Sequence, residues 1–186
     1  MVIAPVPEAE MPREILDHLR SKIDRLGYLG AFFTHMAHQP DALLAFLRFT
    51  SAVKDPLDPG LVEVVALTVA TTAGNAYERN QHERLCVNLG FGRAWIAEVE
   101  ALRPDDATLL TSAQLAVQRL AIAMTARHGR DTAAERDRVV ELLGAQDTVG
   151  IMFLVGRYLT HAQIVNTLEL DPPVPSVFAT EAADAG

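Results

Sequence analysis

Four positions between residues 63 and 82 have the types and spacing to move a proton: Glu63, Asn75, Glu78 and His82. Glu78 and His82 are four residues apart, so on a helix they share one face. An imidazole titrates near neutrality, and a carboxylate beside it fixes its tautomer, which suits the pair to general acid–base work. On a solvated helix face such a pair is commonplace. Glu63 changes its weight, because it lies in LVEVVALTVA, a run apolar on nearly every side and hence buried if helical. An ionised carboxylate there needs a polar partner brought to it, and three titratable groups converging beside a core seldom repay their desolvation in stability.

The elements around these residues follow from their punctuation. Asp58 then Pro59 reads as an N-cap with proline at the first helical position, and Gly74 ends that helix. A second helix carries Glu78 and His82 through Leu89 to Gly90, so a hairpin between the two can fold Glu63 back onto their face. Upstream, residues 1–10 are proline-interrupted and read as an extended arm, followed by an amphipathic helix with Ile15, Leu19, Ile23 and Leu26 at helical spacing. A short apolar piece, AFFTHMAHQP, precedes a helix restarted by Pro40 with Leu43, Leu44, Leu47 and Val53 inside. Downstream come helices over 93–102 and 107–127, then one entered by Thr132 and Glu135 as a capping-box pattern and ending near Gly144. A last helix from Asp147 to about Leu168 holds Gly150 and Gly156, where a neighbouring helix can approach closely. With no strand alternation, the fold class is all-α: about eight helices in a single domain over 11–171, followed by a small, acidic, mobile tail over 172–186 unless a partner holds it. A Tyr-to-His polar stretch occurs twice, at 77–82 and 158–161, through an old duplication or because two helices line one pocket.

Composition excludes several classes. A formal charge of −8 without a basic stripe argues against a nucleic-acid partner. The N-terminus has no charged-then-apolar leader pattern, and the apolar runs fall short of a membrane span, so a cytoplasmic protein with no membrane partner is expected. The one cysteine, Cys86, rules out an intrachain disulfide or dithiol cycle. It lies one turn after His82, so a Cys–His nucleophile is conceivable, although between leucine and valine it reads as a small buried apolar group. Glu63, Glu78, His82 and His161 have the types of transition-metal ligands.

The order Glu63, then positions twelve and fifteen residues on, then His nineteen on, resembles the carboxymuconolactone decarboxylase and alkylhydroperoxidase D superfamily. Its peroxidase branch has a CxxC motif at the two middle positions, which here are Asn75 and Glu78, so no disulfide cycle can reduce a peroxide. AYERNQHERLCVNLGF is similar to the decarboxylase-like branch; His38 with Pro40, the LDP entry at 57–59 and GRYLTHAQIVN with Asn166 extend the likeness over most of 31–170.

The resemblance implies an all-helical, homo-oligomeric protein, trimeric or hexameric, with its pocket near a subunit interface. It implies chemistry without cofactor or metal on a small carboxylated lactone or related carbonyl compound. Carried over by position, His82 is the general acid/base, Glu78 its partner or second proton carrier, and Glu63 the orienting carboxylate. Asn75 and Tyr77 are expected in the substrate pocket, with Arg157, Arg79 and His161 as candidates to meet a substrate carboxylate or developing charge. The competing readings are a thiol peroxidase dependent on Cys86 and an oligomeric protein that binds a ligand without turnover.

Overall fold

The computed structural model describes residues 3–179, and among these every regular element is helical. In chain order the α-helices are α1 (Arg13–Leu26), α2 (Ala31–Met36), α3 (Pro40–Lys54), α4 (Pro59–Thr72), α5 (Ala76–Asn88), α6 (Arg93–Glu100), α7 (Ser112–Ala126) and α8 (Ala133–Thr167). A single 3₁₀ turn, Glu8–Glu10, precedes them.

Helix α4 is the axis of the fold. Asp58 caps it, accepting from the Gly60 and Leu61 N–H groups at 2.9 and 3.2 Å. Every residue from Gly60 to Ala70 is buried, and α5, α6, α7 and α8 pack around it. After Gly74, with φ +63°, Asn75 caps α5 and the chain doubles back, forming the expected hairpin. Asn166 on α8 donates to the Ala73 carbonyl at 2.9 Å and ties that turn to the last helix.

Two apolar clusters form. The larger gathers α4, α6, α7 and α8 around Val64, Leu67, Ile96, Leu120, Ile151 and Leu154. The smaller joins α1, α2 and α3 through Ile15, Leu19, Phe32, Leu43 and Leu47, with Tyr77 and Val165. The polar face of α5 lies at the seam between them.

Several expectations are corrected. The helix expected from residue 107 begins at Ser112, because Thr111 and Gln114 make a full capping box there, while Glu98 holds the Thr108 and Leu109 N–H groups outside any helix. Thr132 makes no side-chain cap; Glu135 pairs instead with Arg127 at 3.1 Å. The break expected near Gly144 is present, so α8 is two helices joined end to end there; the Gly144 φ of 81° and ψ of 173° are open essentially to glycine alone. Gly150 does allow a close approach, since a Cβ there would lie 3.4 Å from Leu57, but Gly156 has nothing within 4 Å. By length and apolarity alone α8 reaches a membrane span, with an 18-residue window of mean hydropathy 1.5, yet Ile151, Leu154, Val155 and Tyr158 pack into the core.

The N-terminal arm is docked: Val6 N–H donates to the Thr34 carbonyl, and His38 Nε2 lies 2.8 Å from the Ala4 carbonyl. The start of the tail is held too. Asn80 donates to the Val174 carbonyl, Arg84 to the Pro175 carbonyl, and buried Glu83 accepts from Ser176 Oγ and Val177 N–H at 2.6 and 2.7 Å. Residues 180–186 of the expected mobile tail lie outside the described residues.

Candidate functional site

Glu63 lies on α4, 2 % exposed, and its Oε2 meets His82 Nδ1 on α5 at 2.6 Å. This contact is what the hairpin accomplishes: it delivers the imidazole to the one carboxylate in an otherwise apolar helix. Cys86, one turn further on, donates its thiol to the same Oε2 at 3.6 Å. Burial and then the Glu63 charge push that thiol up, so it stays protonated and acts as a hydrogen-bond donor.

Fixing Nδ1 leaves His82 Nε2 pointing into a cavity of about 80 Å³. Around Nε2 stand Glu78 Oε1 at 3.5 Å and the Tyr158 hydroxyl from α8 at 3.4 Å, the Tyr158 ring meeting the imidazole edge to face. Glu78 is therefore the more distant of the two carboxylates. It is occupied chiefly by α8: Arg157 Nη1 lies 3.1 Å from its Oε1, and His161 Nδ1 contacts its Oε2. Arg157 also donates from Nε to Thr50 Oγ1 on α3 at 3.3 Å, and its guanidinium lies over the Tyr158 ring.

These contacts set the charges. Burial alone would lower the His82 pKa, but Glu63 and then Glu78 outweigh it and raise it above the usual imidazole value. Burial would likewise raise Glu63, yet His82 and Lys54 hold it below the ordinary carboxylate range. Glu78 is held well below that range by His161 and Arg157 against its own burial. At His161 burial wins and the pKa falls, with Arg157 and Lys22 adding to the decrease against the pull of Glu78. Burial keeps the Tyr158 phenol protonated far above neutrality. The two carboxylates favour the imidazolium form of His82, and the ring in that form presents Nε2–H, beside the phenol O–H, to the cavity.

Of the residues expected at a substrate, Tyr77, Arg157 and His161 line this cavity together with Glu78 and His82. The Tyr77 hydroxyl is already engaged, accepting from Phe32 N–H at 3.2 Å; a Cβ at Gly30 would sit 2.8 Å from it. The His161 ring lies tilted against Phe32, ring centres 4.1 Å apart, and is committed to Glu78. Asn75 does not line the cavity. Its side chain accepts from Glu78 N–H at 3.1 Å, so it shapes the start of α5 rather than touching a ligand. Arg79 points elsewhere and pairs with Glu83 at 3.3 Å. The repeated Tyr-to-His stretch is explained by position, since 77–82 and 158–161 face each other across one pocket.

Among the cavity residues that escaped the sequence reading as site residues are Lys22 and Arg25 on α1, Thr50 and Lys54 on α3, and Tyr158 on α8. A signal for both lysines existed. Lys22 falls on the stripe Ile15, Leu19, Leu26, and Lys54 on the stripe Leu43, Leu47, where a lysine interrupts an inward face.

Residues 40–117 match the model of the Carboxymuconolactone decarboxylase family. No curated protein sequence matches the chain. Among solved structures, the debrominase Bmp8, crystallised as a cysteine-to-alanine variant in complex with 2,3,4-tribromopyrrole, superposes with a TM-score of 0.79 at 14% identity, covering 92% of this chain and 91% of its own. An uncharacterized peroxidase-related protein with an alkylhydroperoxidase AhpD core, from Ralstonia eutropha JMP134, gives 0.78 at 20% identity over 91% of each chain. A protein of unknown function from Agrobacterium tumefaciens gives 0.66 at 16% identity, covering 76% of this chain and 97% of its own. The family match takes in less than half of the chain but includes Glu63, Glu78 and His82, and the neighbours share the helical fold, so the segment 40–117 is similar to the Carboxymuconolactone decarboxylase family and the chain has the AhpD-like fold.

Proposed function

We propose that the protein is a cofactor-independent lyase or isomerase that acts on a small carboxylated lactone or related carbonyl compound through His82. The observation that carries this reading is the 2.6 Å contact from Glu63 to His82 Nδ1, which leaves Nε2 on the cavity side and favours the protonated ring that can act as an acid. In decarboxylation, the bond to the departing carboxylate breaks and carbon dioxide leaves. The electron pair passes into the adjacent carbonyl system as an enolate. His82 Nε2–H then protonates the carbon, and solvent returns the proton to the imidazole. Tyr158 O–H is placed to hydrogen-bond the developing oxyanion, and Glu63 to stabilise the imidazolium before transfer. In isomerisation the same groups move a proton between two carbons without carbon dioxide leaving.

A thiol-dependent reaction finds less support, because Cys86 is fully buried and its thiol is committed to Glu63. The decisive assay follows a γ-carboxylated muconolactone by ultraviolet absorbance and carbon dioxide release, with peroxide as a control substrate. Turnover that falls roughly 10²- to 10⁴-fold in His82→Ala, as expected for loss of one general acid, supports the reading. Turnover unchanged in His82→Ala sinks it, and saturable binding of the lactone without turnover favours a ligand-binding protein.

A further inference from the structure

The cavity at His82 is small. At about 80 Å³ it is well under the roughly 300–1,000 Å³ of ordinary small-molecule sites, whereas an adjoining basin between α1 and α3 measures about 340 Å³. The two share six lining residues: Lys22, Arg25, Phe33, Thr50, Lys54 and Arg157. Four of the six are cations, so a molecule reaching His82 from the basin passes between positive charges.

Among the described residues these charges are poorly neutralised. Arg13 and Arg20 on α1 pair with Asp17, and Arg48 on α3 pairs with Glu14. Lys22, Arg25 and Lys54 make no such ion pair; Lys22 Nζ rests over the Phe33 ring, 4.7 Å from its centre. The carboxylates nearby are Glu63, which pulls on Lys54 but is bonded to His82; Glu78, already shared by Arg157 and His161; and Asp55 on the basin lining. Burial and then Arg157, Lys54 and Arg25 push Lys22 down to about 8, against the pull of Glu78; burial lowers Lys54 too. Like charges held together in a partly desolvated cleft form a focused positive field that an anion would relieve.

Resting on the acid–base reading of His82, we propose that this basin is an anion-binding subsite: Lys22, Arg25 and Lys54 hold the anionic end of an elongated organic anion whose other end reaches His82. The subsite determines which molecules enter, and the inner cavity does the chemistry. Substrates are then extended carboxylates or phosphates with a separate reactive end, and neutral lactones or esters of the same shape are excluded.

The test is calorimetric titration at low salt with adipate, its dimethyl ester and inorganic phosphate, on wild type, Lys22→Met, Lys54→Met and Lys22→Arg. Thermal melts of the unliganded variants check folding, since neither lysine is hydrogen-bonded and both are only half-buried. Adipate should bind wild type and weaken with added salt; its affinity should drop about tenfold in each methionine variant and recover in Lys22→Arg. The ester should not bind. Equal adipate affinity in wild type and the methionine variants overturns the proposal, as does ester binding equal to adipate, binding of phosphate but not adipate, or no anion binding at all. The two readings fail separately: adipate affinity in the lysine variants reports on the basin whatever becomes of turnover, and turnover in His82→Ala reports on the acid–base reading whatever the lysine variants do.

Discussion

At the scale of single residues, Glu63 is the setting on which His82 depends. Burial of an imidazole lowers its pKa, so without the Glu63 charge His82 would be neutral when it needs to be an acid. Glu63→Gln keeps the shape and a hydrogen-bond acceptor while removing that charge. The His82 titration, followed by NMR of its Cε1–H, should move down, and the high-pH limb of any rate profile should move with it. An unmoved titration would mean that Glu78, 3.5 Å from Nε2, supplies the charge instead. The pair is also linked to stability, with opposite signs for its members. The contribution of Glu63, whose pKa is lowered, is present above its ordinary value of 4.5 and is lost in more acid solution. The contribution of His82, whose pKa is raised, is full below 6.5 and is lost as pH rises through its folded value. Glu63 and His82 were legible in the sequence because a carboxylate in an apolar helix violates the cost of burying charge and so announces a partner. Lys22 and Lys54 were not read, because a lysine's long stem lets it sit at the edge of an apolar stripe without violating anything. Their meaning emerges only when α1 and α3 are placed side by side.

At the scale of elements, the caps were readable and the couplings between distant segments were not. Asp58, Pro59 and Gly74 set α4 and its turn by local chemistry, which sequence records directly. The proline-rich start of the tail carries no helix or strand signal, and nothing local shows that Glu83, 93 residues before Ser176, holds it. That strap brings a second acid into play. Glu100 at the end of α6 faces Glu83 and Arg79; burial and then the Glu83 charge push it up to about 7, with Arg79 pulling the other way. A raised carboxyl contributes stability that is full below its ordinary value of 4.5 and is lost as pH rises through about 7. Glu100→Gln stays neutral throughout. It should melt with wild type at pH 5 and a few degrees above it at pH 8, about 1 kcal/mol once partial exposure is discounted. Equal melting temperatures at both pH values would show that the Glu83–Glu100 contact does not govern how the tail is held.

At the scale of the whole molecule, charge and apolar surface are distributed against the averages. The chain carries a formal charge of −8, yet the mouth of its cavity is lined by Lys22, Arg25, Lys54 and Arg157, which makes this entrance locally attractive to anions. Beside that entrance α3 and α8 expose Phe49 and Phe153, with ring centres 5.8 Å apart, and Val149 and Met152 continue the patch along α8. Phe153 is 54 % exposed, and Phe49 directly precedes the Thr50 that anchors Arg157. Contiguous exposed aromatics on an otherwise acidic surface are the usual mark of an interface, and the expected partner is a second copy of the chain. The family resemblance implies a trimer or hexamer, so wild-type protein is expected at three or six times the 20.2 kDa chain mass by light scattering. Phe153→Glu should show a single chain, since a carboxylate buried in an apolar contact without a partner costs more than the contact returns. A wild type that runs as a single chain rules out the assembly; a Phe153→Glu protein that keeps the wild-type mass places the interface elsewhere on the surface.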